Sequence, residues 1–408
     1  MSVLIPKKET ITIEFKSDKK KISDEVIIDS VVAFANTEGG DIYLGVEDDG
    51  TVTGIHPEHE DYSRLAVFIA NKTIPPIATI VEEIKADYPV IKISVPKSRQ
   101  IVASSSGKIQ HRRLNADNTP ENIPMYPHEL NSRLSELSML DLSSQPVPEA
   151  CYEDLDVIER ARLRNIISKY SCEKHLLDLS DEELDKALQL VTEINGTLIP
   201  TYTGLLLIGK EDKIKKFIPT TEVILQYFIG SSVKENKSFS YPLLKSIETA
   251  FNFINLCNPE YEMEYGLYRI SIPDFNKRAI REAIVNAFSH RDYTRLGAIR
   301  ITIDEDGLTV SNSGGFIEGV TLDNLLTVEP HGRNPVLSNT LKRIGVAERC
   351  GRGVQHIFEG SSKVGKLLPD YRESTSDTTK LFIPRSIPDE KFIKMSIEAQ
   401  NKTNNFHC

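Results

Sequence analysis

Five cysteines in 408 residues, none in a C-x-x-C pair, set the first limits on this chain. Cys151, Cys172, Cys257, Cys350 and Cys408 are scattered and odd in number. That pattern excludes a disulfide framework and a cysteine zinc site, and it fits a reducing cytoplasm. Cys172 and His175 lie close together, but two ligands do not make a metal site. Long apolar runs are also missing: none approaches the ~20 residues needed to cross a bilayer. No segment reads as a signal peptide, so no membrane association is expected. Positive charge is in deficit. A net charge of −10 and a pI of about 5.5 exclude a wholly basic nucleic-acid binder, so any such contact must be local. A phosphate loop is lacking too. Gly204-Leu-Leu-Leu-Ile-Gly209-Lys210 fits G-x-x-x-x-G-K, but Glu211 stands where Mg²⁺ needs a hydroxyl. Its four apolar middle residues call for a buried strand or helix. There is no internal repeat.

What the chain does have is a patterned segment, Glu282-Ala-Ile-Val-Asn286-Ala-Phe-Ser-His290. Glu282, Asn286 and His290 recur every four residues and share one helix face. Ile280, Ile284, Ala287 and Phe288 supply an apolar stripe for the core. An Asn oxygen there can ligate Mg²⁺ among nucleotide phosphates, and a Glu one turn away can orient or deprotonate a water. The same pattern also suits an ordinary amphipathic helix with a solvated face. Downstream, Ile299–Ile303 alternates like a strand, and Asp306-Gly307 turns into Leu308-Thr309-Val310. Asn312-Ser-Gly314-Gly315, then His331-Gly-Arg333-Asn334-Pro335, then Cys350-Gly351-Arg352-Gly353-Val354 follow, the last opening a helix through Phe358.

As an ordered set over roughly residues 275 to 365, these elements resemble the GHKL ATP-binding fold in its divergent HATPase_c_4 branch. The resemblance implies ATP as cofactor with Mg²⁺ or Mn²⁺. It gives Glu282 the catalytic role and Asn286 the metal. His290, Gly314, Gly351, Arg352 and Gly353 would border the nucleotide, with the Gly-x-Gly amides and helix N-terminus meeting phosphate. The sequence departs from that family where an Asp ordinarily holds the adenine amine, since this turn reads Asn312-Ser-Gly314-Gly315.

A second resemblance sits at the front. Glu9-Thr-Ile-Thr-Ile-Glu14-Phe-Lys16 precedes an apolar helix pattern, Val26 to Phe34. Phe34-Ala-Asn36-Thr-Glu38-Gly39-Gly40 ends that helix, and Ile42, Leu44 and Val46 line one face of the next strand. Asp49-Gly50 is a hairpin turn. The stretch resembles the Schlafen AlbA_2 domain over about residues 1 to 130. In Schlafen-type endoribonucleases the corresponding acids form a metal-dependent site, which carries over to Glu9, Glu14 and Asp48. Three carboxylates can hold Mg²⁺ or Mn²⁺ beside a scissile phosphate. A straight strand, however, sets Glu9 and Glu14 on opposite faces, so they converge only if the chain bends between them. Lys97 to Ala116 contains several basic residues and no acid. With Lys16, its members Lys108, Arg112 and Arg113 are the expected phosphate contacts. The alternative for this segment is a solubilising edge strand.

Pro120–Pro127 and Ser143–Glu149 read as linkers. Together these features predict an α+β multidomain chain. An AlbA_2-type α+β domain is expected over 1–130 and a helical connector over 131–195. A joining segment with a GHKL-like α/β sandwich would span 196–385, and a polar tail 386–408, too short for a winged helix. Three functions are compatible with this organisation. The first is a cytoplasmic nucleic-acid-binding regulator, of DNA-binding transcriptional or defence type, coupled to nucleotide and a possible homodimer by resemblance. The second is a Schlafen-like metal-dependent endoribonuclease. The third is a non-catalytic binding module with degenerate sites.

Overall fold

The computed structural model describes residues 5–59, 61–85, 87–115, 117–137, 139–328, 332–348 and 352–404. The chain divides into two compact units, Met1–Leu137 and Ser138–Cys408. Among the described residues, no helix is long and apolar enough to cross a membrane.

The front unit contains β1 (Ile13–Lys16), α1 (Asp24–Ala35), β2 (Gly40–Leu44), α2 (Leu65–Lys72), β3 (Thr73–Ile74), β4 (Ile80–Lys85), β5 (Pro89–Val95), β6 (Ala103–Ser104), β7 (Gln110–Leu114), β8 (Pro120–Pro124) and α3 (Pro127–Glu136). Its main sheet has the order β1-β2-β5-β4, with β1 parallel to β2 and the other pairs antiparallel. The apolar run in α1 buries Ile27, Ile28, Val31, Val32 and Phe34 against Ile42, Leu44, Ile91 and Ile93. Alternation along the strands sends Phe15, Tyr43 and Val90 into a second cluster. Ser23 caps α1 by accepting from the Val26 amide. Past its other end, Gly40 has φ +141°, and a Cβ there would lie 2.2 Å from the Thr12 carbonyl oxygen. Only glycine permits this approach of β2 to the segment before β1. Within the Pro120–Pro127 stretch, expected as a linker, Pro120–Pro124 instead forms β8, paired with β7, and Pro127 opens α3.

In the rear unit, α4 (Val157–Tyr170), α5 (Asp181–Ala187), β9 (Val191–Ile194), β10 (Thr197–Pro200), α6 (Tyr202–Ile208) and α7 (Glu211–Phe217) precede β11 (Val223–Ile229) and β12 (Ser232–Phe239). Then follow α8 (Leu243–Leu256), β13 (Glu260–Tyr265), β14 (Tyr268–Pro273), α9 (Lys277–Ser289), β15 (Ile299–Ile303), β16 (Gly307–Ser313), α10 (Pro335–Arg343), α11 (Gly353–Ser362), β17 (Thr378–Pro384) and α12 (Glu390–Asn404). The sheet order is β12-β11-β15-β16-β17, with β11 and β15 parallel. α6, α8 and α9 contribute to one core with β11, β15, β16 and β17. Leu205 to Ile208 are all buried within α6, so the G-x-x-x-x-G-K match is a core helix capped by Thr201 and not an exposed phosphate loop. Ser143, in an expected linker, is buried and its hydroxyl accepts from the Leu337 amide. The stretch expected as a polar tail carries α12, whose Ile393 packs with Met263 and Ile272.

Candidate functional site

The first candidate lies where β1 begins. The Thr10 and Ile13 backbones exchange hydrogen bonds, and this tight turn supplies the bend that Glu9 and Glu14 require. Glu9 Oε1 accepts the Phe15 amide at 2.7 Å. Burial raises the Glu9 pKa, the Phe15 amide opposes this, the charge of Glu14 adds to the rise, Lys16 opposes it and Asp48 adds again. The three acids are therefore electrostatic neighbours. Glu14 is only 4% exposed. Its Oε1 meets Lys16 Nζ at 2.8 Å, Arg112 Nη1 at 3.2 Å and Asn122 Nδ2 at 2.9 Å. Its Oε2 is buried without a hydrogen-bond partner. Asp48 is exposed just beyond β2. Among the described residues, no three of His, Cys, Asp and Glu are grouped so as to hold a metal ion.

Arg112 requires a correction. The sequence assigns it to a phosphate-binding surface, yet it is 3% exposed. Its guanidinium donates to the carbonyls of Thr10, Ile11 and Ile13 and to Asn122 Oδ1. It also lies 4.4 Å from the Phe34 ring centroid. Adjacent residues in a strand face opposite ways, so β7 can expose Arg112 or Arg113 but not both. Arg113 is the exposed one, and it pairs with Glu121 at 2.9 Å. Lys108 bridges Glu25 and Asp29, and Lys16 pairs with Glu14. Nothing in the local sequence marks Asn122, which holds Glu14 from 108 residues away; only pairing of β7 with β8 brings it there. Asp18 is equally unmarked, fully buried beside His59 with Oδ2 2.7 Å from the ring Nδ1.

The second candidate is the polar face of α9. Asn276 caps this helix and His290 ends it. Glu282 is 1% exposed, and Arg281 Nη2 donates to its Oε1 at 3.1 Å. The start of α11 comes against this face. A Cβ on Gly353 would lie 2.9 Å from Glu282 Oε2 and 3.6 Å from Asn286 Nδ2. The structure thus brings Glu282, Asn286 and Gly353 together, with Arg352 at the N-cap of α11. Gly351 lies outside the described residues, as do His331 and Cys350. His290 is held neutral. Burial first, then the charges of Arg333 and Lys342, lower its pKa to about 4. Gly314 donates its amide to the Asp377 carbonyl, and its own carbonyl accepts the Thr379 hydroxyl. Asn312, which stands where the family has Asp, is buried on β16 and donates to the Ser313 carbonyl. Past α9, Asp292 Oδ2 meets Arg333 Nη1 at 3.5 Å, and Asn334 Nδ2 donates to the carbonyls of Ser289 and Arg291. The Arg-Asn-Pro motif is thereby a clamp on the C-terminal end of α9. The charged run after His290 is the visible signal for Asp292.

Two ordered motif sets, each now placed on a defined unit, meet their counterparts among known proteins. Residues 9–121 match the Schlafen AlbA_2 family. Residues 297–382 match HATPase_c_4, described for the C-terminal part of the ATP-dependent DNA helicase recG. Between them, residues 132–224 match DUF8451, a domain of unknown function. Among solved structures, the DIP2311 protein from Corynebacterium diphtheriae shares the fold with TM-score 0.53 at 20% identity. That match covers 94% of this chain and 77% of the other. No curated protein matches this chain.

Proposed function

We propose that the chain is a nucleic-acid-binding regulator. Its Schlafen AlbA_2 domain contacts DNA or RNA, and its GHKL-like domain answers to nucleotide. The two domain types together support association with nucleic acid. One observation favours binding over cleavage: Glu14 Oε1 is already held by Lys16, Arg112 and Asn122. The exposed cations Lys7, Lys8, Lys19 and Lys20 near the β1 segment supply a local phosphate-binding surface despite the negative net charge. In the rear domain, Gly353 at the start of α11 sits directly against Glu282 and Asn286, so the glycine end of that helix and the two polar side chains share one place. With Mg²⁺–ATP bound, Asn286 would offer its oxygen to the metal, and the metal would polarise the phosphates. Glu282 would orient a water. A homodimer is the assembly expected of such a domain.

Fluorescence anisotropy with labelled RNA and DNA tests this reading. Affinity should fall steeply with salt and drop when Lys7, Lys8, Lys19 and Lys20 are reversed to Glu. Salt-independent binding would overturn it. Calorimetry with an ATP analogue tests the second domain. Asn286→Ala should abolish Mg²⁺-dependent binding, while Glu282→Ala should retain it. No heat from the wild-type protein would remove nucleotide from the proposal.

The ribonuclease reading keeps one specific support. Glu14 Oε2 is buried and unpartnered, and the Glu9 pKa is raised beside Glu14 and Asp48. That unpartnered oxygen is what a bound cation would meet, although the three acids are not grouped for one among the described residues. Manganese-dependent cutting of structured RNA, lost in Glu9→Gln and Asp48→Asn, would establish it in place of the binding reading.

A further inference from the structure

A guanidinium without a carboxylate partner lies in the core of the rear unit. Arg291 follows α9 and is 0% exposed. One of its nitrogens, Nη2, donates to the carbonyls of Thr220 and Arg295. Nε and Nη1 are buried with no hydrogen-bond partner. The neighbouring carboxylate is spoken for, since Asp292 lies 3.3 Å from Arg295 Nε and 3.5 Å from Arg333 Nη1 and accepts the Thr294 amide and hydroxyl. Arg291 therefore has its Nε hydrogen and both Nη1 hydrogens without an acceptor; its charge is met by the Tyr293 ring, 5.5 Å from the guanidinium carbon, and by the field of Asp292, in a place where burial disfavours it.

Beside it is a cavity of about 10 Å³ lined by Arg291, Thr221, Tyr293, Tyr241, Phe288 and Ile299 among others. Thr221 Oγ1 is also buried and unpartnered. Hydroxyl and guanidinium donors thus border one small space whose other walls are largely apolar. A space of this size admits a single compact body. A water would satisfy hydrogen bonds but add no counter-charge to the partial compensation from Asp292 and Tyr293. A polyatomic oxyanion is too large.

We propose that this cavity is a binding site for one small monovalent anion of the halide class, chloride in particular, held by Arg291 and the Thr221 hydroxyl. The anion neutralises Arg291 in a low-dielectric setting, where a charge-assisted contact is strong. Such a site makes the rear unit's stability depend on which anion is present, not merely on ionic strength. It is independent of the nucleotide reading, because none of these residues lies on the Glu282–Asn286 face.

The test uses the full chain and sodium chloride exchanged against sodium gluconate at constant ionic strength. Thermal unfolding of the rear unit should shift upward with chloride and saturate. At chloride about tenfold above its Kd, the rise should be about 3–5 °C. A bromide-soaked crystal should show an anomalous peak within contact distance of Arg291 and Thr221. Arg291→Met should flatten the chloride dependence, and Thr221→Val, the milder change, should weaken it in a protein that remains folded. A wild-type melting curve indifferent to the exchange, with no bromide peak, would overturn the site. So would a Thr221→Val protein that keeps the full chloride response.

Discussion

At the scale of single residues, Arg112 carries the clearest consequence. Its guanidinium ties the Thr10–Ile13 turn to β7 and β8 and supplies the counter-charge to Glu14. Arg112→Ala leaves a buried carboxylate and several carbonyls unmatched, which should destabilise the front unit by roughly 3–5 kcal/mol. Urea unfolding followed by a front-unit probe measures this. An unchanged midpoint would show that Arg112 is a surface contact after all. Arg113→Glu changes an exposed neighbour and should shift stability by no more than about 0.5 kcal/mol. Glu9 argues in the opposite direction. Its ionised form is disfavoured by burial and by Glu14 and Asp48. Because its folded pKa is raised, the native state at neutral pH carries a strain that disappears as pH falls through that value. Glu9→Gln keeps an acceptor for the Phe15 amide and removes the charge. It should therefore stabilise the front unit at pH 7, and the gain should shrink toward low pH. A destabilised Glu9→Gln protein would mean that the attraction of Lys16 for the carboxylate outweighs burial and the neighbouring acids.

Among elements, the packing of α11 on α9 shows what sequence pattern reveals and what it leaves out. The apolar stripe and polar face of Glu282 to His290 are legible, because helical period alone places Glu282 and Asn286 one turn apart. The parts of β15, β16 and α11 downstream are equally visible in alternation and turn residues. The approach of Gly353 to Glu282 Oε2 is not visible, since it depends on two helices far apart in the sequence packing directly on each other. The same holds in the front unit. The bend between Glu9 and Glu14 enters the sequence reading only as a condition, because the arginine that holds it lies about a hundred residues further on. Polar composition misleads where Pro120–Pro124 becomes β8 and where the last segment becomes α12, since pairing and packing override local polarity. The α9–α11 contact also yields a test. Gly353→Ala sets a Cβ against Glu282 Oε2 and should destabilise by about 1–3 kcal/mol. In a Glu282→Ala background the obstructing oxygen is gone. There the same change should be neutral or stabilising, by up to about 1 kcal/mol. Additive effects in this double-mutant cycle would separate the two helices energetically.

For the molecule as a whole, the presence of two units, each with its own core, means that unfolding should be followed unit by unit. The rear unit carries a pH-sensitive element at the end of α9. His290 is kept neutral by burial and by the positive charges of Arg333 and Lys342, with a folded pKa of about 4 against an ordinary value of 6.5. A lowered histidine pKa means that the unfolded chain binds the proton more readily than the native one. Stability from this group is therefore complete above about pH 6.5 and is lost as pH falls toward 4. The total loss is of order 3 kcal/mol, since a tenfold change in proton affinity corresponds to about 1.4 kcal/mol. The Arg-Asn-Pro clamp gives the effect its setting, because Asn334 fixes the Ser289 and Arg291 carbonyls on either side of His290. The melting temperature of the rear unit should therefore decline between about pH 6.5 and 4 in the wild type. His290→Gln, which cannot take up the proton, should flatten that decline while leaving the front unit's pH profile unchanged. If the wild type and His290→Gln lose rear-unit stability in parallel over this range, protonation of His290 is not the cause, and the loss must be assigned to the carboxylates around Arg333.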